Sequence, residues 1–152
     1  MRARLLAGLL AALLMAAPGN VRAQPQNAIG STQDAQLVAT LIRAVLIALH
    51  QANATGNYTV LSQLGAPSFT ARNSAADLAL AFADLRRRKI DLQAVAVLQP
   101  DITFGPVLDE QGLLRISGRF ATVPEPIRFE LIWQVVDKVW RPIGIVVTPD
   151  AG

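Results

Sequence analysis

"IRFELIWQVVDKVWRPIGIVVTP" spans residues 127–149, and its reading decides the fold. Ile127, Phe129, Leu131, Trp133 and Val135 alternate with Arg128, Glu130 and Gln134, so one side of the segment is apolar and the other is wet. A period of two is the period of a strand that lays one face on a core. Asp137-Lys138 interrupts the run before a second β-branched stretch begins, which predicts a hairpin. Upstream, Leu114, Ile116, Gly118 and Phe120 alternate in the same way against Arg115, Ser117 and Arg119. Turn signals fall at residues 109–112 and 124–126. From Leu92 onward the chain therefore predicts an antiparallel sheet of about four strands, greasy on one face and polar on the other. Arg115 and Arg119 are the candidates to pair across strands with Glu130, a contact worth at most about 1 kcal/mol where exposed.

Before Leu92 the period is helical. In "STQDAQLVATLIRAVLIALHQAN", residues 31–53, Ser31 and Asp34 form a capping pattern. Leu37, Leu41, Val45, Ala48 and Ala52 share one face, widened by Val38, Ile42, Leu46 and Leu49. So broad a stripe predicts a helix buried along most of its surface. "NATGNY" breaks it at Gly56, and a short helix follows, closed by Gly65 in the positive-φ conformation glycine tolerates, with Pro67 preventing continuation. A third, medium helix opens at Ser74 and Asp77, buries Leu78, Ala81, Phe82 and Leu85, and places Arg86, Arg87, Arg88 and Lys89 in its last turn. Positive charge there suits the negative end of a helix, and Asp84 stands four residues before Arg88. The expected fold class is thus α+β, with one long, one short and one medium helix packed on a curved antiparallel sheet.

The first residues have the layout of a secretory signal peptide: Arg2 and Arg4, a small apolar run to Ala17, then Pro18-Gly19. Val21 and Ala23 supply the small side chains read by a signal peptidase, which predicts cleavage between Ala23 and Gln24 and export to the periplasm or beyond the cell. The apolar run is shorter than the roughly 20 residues a spanning anchor needs, so no stable membrane insertion is expected after cleavage. The chain divides into a leader over residues 1–23, a loose polar lead over 24–30 and one domain over 31–149. Arg2, Arg4 and Arg22 leave with the leader, so the 14 Lys and Arg less these three balance the 11 Asp and Glu. The basic pI therefore belongs to the uncleaved chain, and nucleic acid is not an expected partner. With no cysteine, disulfides, lipoprotein processing and thiolate catalysis are excluded.

The long helix ending in "ATGNYTVLSQLGAPSF", together with the closing hairpin, resembles the nuclear-transport-factor-two-like superfold, and more closely a family of small uncharacterised proteobacterial exported proteins. The resemblance covers residues 31–149. It implies a sheet curled around a cone, with Tyr58, Phe69, Phe82, Phe104, Phe120, Phe129 and Trp133 lining a pocket closed by the helices. Enzymes of the superfold set a tyrosine with an aspartate, or an aspartate with a histidine, inside that cone to move a proton beside a carbonyl.

Here the inward strand positions are Ile, Leu, Phe, Trp and Val, without a carboxylate among them. One histidine and no cysteine leave no metal site and no cofactor to expect. His50 lies on the polar stripe of its helix and reads as a boundary residue. Tyr58, after a Gly-Asn turn, buries its ring and needs a hydroxyl partner, which makes it either a corner lock or a ligand contact. Asn53-Ala54-Thr55 and Asn57-Tyr58-Thr59 match the glycan acceptor pattern, which is short and common. Asp109-Glu110 reads as a solvated turn, and Trp140 is expected on the face opposite Trp133. Three functions remain in view. The first is a non-catalytic exported domain binding a small apolar ligand or a protein. The second is an isomerase or dehydratase using Tyr58 with Asp91 or Asp101. The third is a structural domain that docks or forms a homodimer through a sheet face carrying Arg128, Gln134 and Trp140.

Overall fold

The computed structural model describes residues 32–150; the leader with its Ala23-Gln24 cleavage pair, the polar lead and the Ser31 cap lie outside them. Five helices precede four strands: α1 (Thr32–Thr55), α2 (Thr59–Leu64), α3 (Pro67–Thr70), α4 (Ala75–Ala81), α5 (Ala83–Arg87), a 3-10 turn (Gln93–Ala96), then β1 (Asp101–Leu108), β2 (Leu114–Phe120), β3 (Ile127–Val136) and β4 (Val139–Pro149). The strands form one antiparallel meander in the order β1-β2-β3-β4. This is the α+β arrangement the two sequence periods call for.

The helical half is more finely divided than its pattern suggests. The stripe of α1 that is buried consists of Val38, Ile42, Val45, Leu46, Leu49 and Ala52, while Leu37 at its start is exposed. By length and composition α1 is apolar enough to cross a membrane, yet its stripe belongs to the domain's hydrophobic cluster. Arg43 fastens its outer side by donating to the carbonyls of Val95 and Leu98 at 3.2 and 3.1 Å. Pro67 ends α2 as expected but also starts α3 from its first position, where a missing N–H costs nothing. Gly65 has a φ of −65°, so positive φ is not why it is glycine. A Cβ there would run into the Phe69 ring. Ser74 and Asp77 form the anticipated capping box. The single third helix is instead two, bent at Phe82, and the bend keeps Leu78, Phe82 and Leu85 all buried.

Register settles the two faces of the sheet, because residues paired across antiparallel strands share a face. The rows Leu114–Trp133–Pro142, Ile116–Leu131–Ile145, Gly118–Phe129–Val147 and Phe120–Ile127–Pro149 face the helices. Their side chains join those of α1, α2, α4 and α5 in one core. The other face carries Arg115, Ser117 and Arg119 beside Ile132, Glu130 and Arg128. The expected cross-strand partner of the arginines is replaced: Arg115 donates to Asp109 at 2.8 Å, and Arg119 and Arg128 both reach the buried Asp150 carboxylate. The Glu130 side chain has no hydrogen bond or ion pair among the described residues. Asp109 is likewise no bare turn residue. The Arg115 guanidinium, and the backbone N–H groups of Leu113 and Gln111, hold its carboxyl below the usual range.

Three irregularities interrupt the pairing, two in β1, on either side of Phe104, and one in β4. In β1 an extra residue separates Ile102↔Gly118 from Phe104↔Ser117, so Phe104 turns onto the outer face instead of lining the cone. It is 52% exposed. In β4 the pairing steps from Trp133↔Pro142 to Ile132↔Gly144, leaving Ile143 as the extra residue. The hairpin turn has only Asp137 and Lys138 at its centre, so Trp140 pairs with Val135 and shares the face of Trp133. Alternation does not carry its parity through a two-residue turn. Trp140 is half-buried against the core and leaves the proposed docking surface, whereas Arg128 and Gln134 stay exposed on the outer face.

Both turn residues have positive φ, 50° at Asp137 and 65° at Lys138, a conformation that costs a side-chain-bearing residue roughly 1–2 kcal/mol. Lys138→Gly is expected to raise stability by about 1 kcal/mol in denaturant unfolding. An unchanged or lower midpoint would refute the strain.

Candidate functional site

The corner between α1 and α5 gathers the rare side chains. Gly56, with φ of +74°, ends α1 and turns the chain so that Tyr58 is buried to 1% exposure. Its hydroxyl donates to Asn53 Oδ1, one turn earlier on α1. Arg86 Nη1 donates to the same hydroxyl, and its guanidinium lies 5.4 Å from the Tyr58 ring centroid. The Arg86–Lys89 cluster is therefore not a uniform solvated helix end. Arg86 folds inward, Arg87 pairs with Asp84, and Arg88 joins Asp84 at 3.0 Å and Glu125 at 3.1 Å. Periodicity ranked Arg86 with its neighbours, and only its meeting with Tyr58, 28 residues away in sequence, sets it apart.

The order of donors fixes the corner. An arginine only donates, so the hydroxyl accepts from Arg86 and donates its own hydrogen bond to Asn53 Oδ1. The Asn53 oxygen is thereby taken, and its Nδ2 is left buried without an acceptor. An unpaired buried donor costs about 1–3 kcal/mol. Asn53 also lines a cleft of about 230 Å³, together with His50, Leu85, Arg86, Lys89, Ile90 and Asp91. His50 Nδ1 stands 3.6 Å from Asp91 Oδ1, the oxygen that also accepts from the Gln93 backbone N–H at 2.8 Å.

The residues expected to line the cone divide. Tyr58, Phe69, Phe82, Phe120, Phe129 and Trp133 are buried in one hydrophobic cluster, with the Phe120 and Phe129 rings 5.5 Å apart. Phe104 is outside it. Other clefts bounded by described residues, of about 470 and 250 Å³, open near Gly65 and Arg141 and near Gln99 and Arg119; of the six buried aromatics, only Phe120 borders either. Tyr58 has Asn53 and Arg86 as hydroxyl partners, not Asp91 or Asp101. Asp91 is paired with His50, and Asp101 lies at the start of β1 opposite Arg119. Among the described residues no group of three His, Asp or Glu side chains is placed to hold a metal. Comparison of the chain with protein-family models, curated proteins and solved structures returns no match.

Tyr58→Phe deletes the hydroxyl and strands both Asn53 Oδ1 and the Arg86 N–H. A loss of about 1–2 kcal/mol in unfolding free energy is expected, with the fold retained by circular dichroism. A loss below about 0.3 kcal/mol would mean that the hydroxyl does not lock the corner.

Proposed function

We propose that the chain is an exported, non-catalytic domain of the nuclear-transport-factor-two-like kind, and that it works through association with a second copy across its outer sheet face. The observation that carries this reading is the row Phe104–Ser117–Glu130–Val146. Phe104 and Val146 are about half exposed there, at 52% and 50%. The described helices and the buried aromatics stand on the other face, so the cone's side chains are engaged with one another. That favours an interaction surface over a small apolar ligand held in the cone. A proton-transfer enzyme would need an acid at Tyr58, where the partners are an amide and a guanidinium.

A second copy fits better than an arbitrary partner because the face is self-complementary. The row Val107–Arg115–Ile132–Gly144 divides the Glu130 row from the row Gln134–Arg141. A two-fold axis lying along the dividing row carries each outer row, about 7 Å away, onto the other. Glu130 of one copy then faces Gln134 and Arg141 of the next. Neither Glu130 nor Arg141 has a side-chain partner among the described residues. Four strands at about 4.8 Å spacing and some 28 Å of length offer roughly 500 Å² per copy. The sum of about 1,000 Å² is the lower edge of a specific interface, so the dimer should be weak and concentration-dependent.

Sedimentation of the purified protein should show a monomer–dimer equilibrium with a midpoint in the micromolar to submillimolar range. Glu130→Arg should abolish the dimer, and adding Arg141→Glu should restore it. A clean monomer at about 1 mM, or a double variant no better than the single one, would remove this reading. The address is tested separately by the N-terminal mass of exported material: Gln24 is expected first, and a retained Met1 contradicts cleavage.

A further inference from the structure

The α1–α5 cleft is not used by the sheet-face reading, and three of the side chains that line it, Asn53, Arg86 and Lys89, carry N–H donors. Asn53 contributes a buried Nδ2 that has no acceptor. Arg86 commits one N–H to Tyr58 and has others to give. Lys89 lines the same cleft, and its ammonium has no partner among the described residues. The Arg86–Tyr58–Asn53 relay makes this arrangement specific, since it forces the amide to present its donor end. Donors of this kind suit an anionic oxygen.

An acid in the same lining narrows the choice. Asp91 lies there with His50, and its carboxylate would repel a dianion such as phosphate while accepting from a hydroxyl or ammonium. At roughly 30 Å³ for each water, about 230 Å³ holds some eight waters, and so a molecule of comparably few heavy atoms. We propose that this cleft binds a small hydroxy- or amino-monocarboxylate. The ligand's carboxylate accepts from Asn53, Arg86 and Lys89, and its neutral or cationic donor faces Asp91.

Titration of the isotope-labelled protein with L-lactate, acetate and inorganic phosphate, at ionic strength matched by sodium chloride, tests this by the side-chain N–H resonances of Asn53 and Arg86. Lactate should give saturable shifts with a millimolar midpoint, acetate should bind at least about threefold more weakly, and phosphate should not saturate. Lys89→Gln, an exposed change that leaves the corner intact, should weaken lactate by at least about threefold. Asp91→Asn should erase the preference for lactate over acetate. The proposal is overturned by the absence of saturation at about 50 mM lactate, by equal shifts from chloride, by phosphate binding more tightly than lactate, or by a Lys89→Gln protein that binds lactate unchanged.

Discussion

The seam between α1 and the two central strands is the constraint on which the other features depend. Ile42, Val45, Leu46 and Leu49 on the helix and Ile116, Phe129, Leu131 and Trp133 on the strands are all buried in one cluster. Each such side chain gains about 1.5–3 kcal/mol on leaving water, and neither surface alone is soluble or stable. With one face of the sheet committed to that seam, the helices after α1 can only fill its margins. Their shortness and bends follow from that. The chain turns three times between α2 and α5, within residues 59–87, to deliver Leu61, Phe69, Leu78, Phe82 and Leu85 inward.

The margins are held by polar contacts in places that the apolar seam does not reach. Arg43 ties α1 to the 3-10 turn, and Arg86 ties α5 to Tyr58 and through it back to α1. Asp150 ties β2 and β3 together at the outer edge by gathering Arg119 and Arg128, which as paired neighbours would otherwise repel. Each of these is an arginine with a planar, multiply donating head, the group suited to bridging separate elements without leaving a donor stranded. At Asn53 a donor is left without an acceptor, whereas at Asp150 the buried Oδ2 that has no hydrogen bond is still faced by the Arg119 guanidinium.

How far the sequence shows this depends on the range of the interaction involved. Alternation in β2 and β3, the capping box at Ser74 and Asp77, and the Asp84–Arg88 pair lie within a few residues of one another, and all are legible. Local sequence gives Gly65 a backbone role, but its reason is the Phe69 ring, a neighbour by folding. The bend at Phe82 leaves no mark in a helical pattern, since Leu78, Phe82 and Leu85 keep helical spacing across it. Arg86 reads as one of four basic residues because its partner lies in another helix. Parity fails wherever an extra residue or a two-residue turn intervenes, and so Phe104 and Trp140 lie on the faces opposite to those their alternation predicts.

The two irregular strands are not equivalent in what they achieve. In β4 the extra Ile143 serves the core: without it Gly144, Val146 and Thr148 would face the helices, and with it Ile145 and Val147 do. In β1 the extra residue works against the core. In unbroken phase with Ile102, Phe104 would stand opposite the inward Ile116; displaced, it stands opposite Ser117 in solvent, beside a glycine at φ of +81°. A bulge of this kind disrupts ladder pairing and bends the strand, and here it also exposes the largest apolar side chain of β1. Stability of the single chain gains nothing from that exchange. An outer face that gains Phe104 in the same row as Val146 and Glu130 acquires the mixture of apolar and charged groups from which self-association is built.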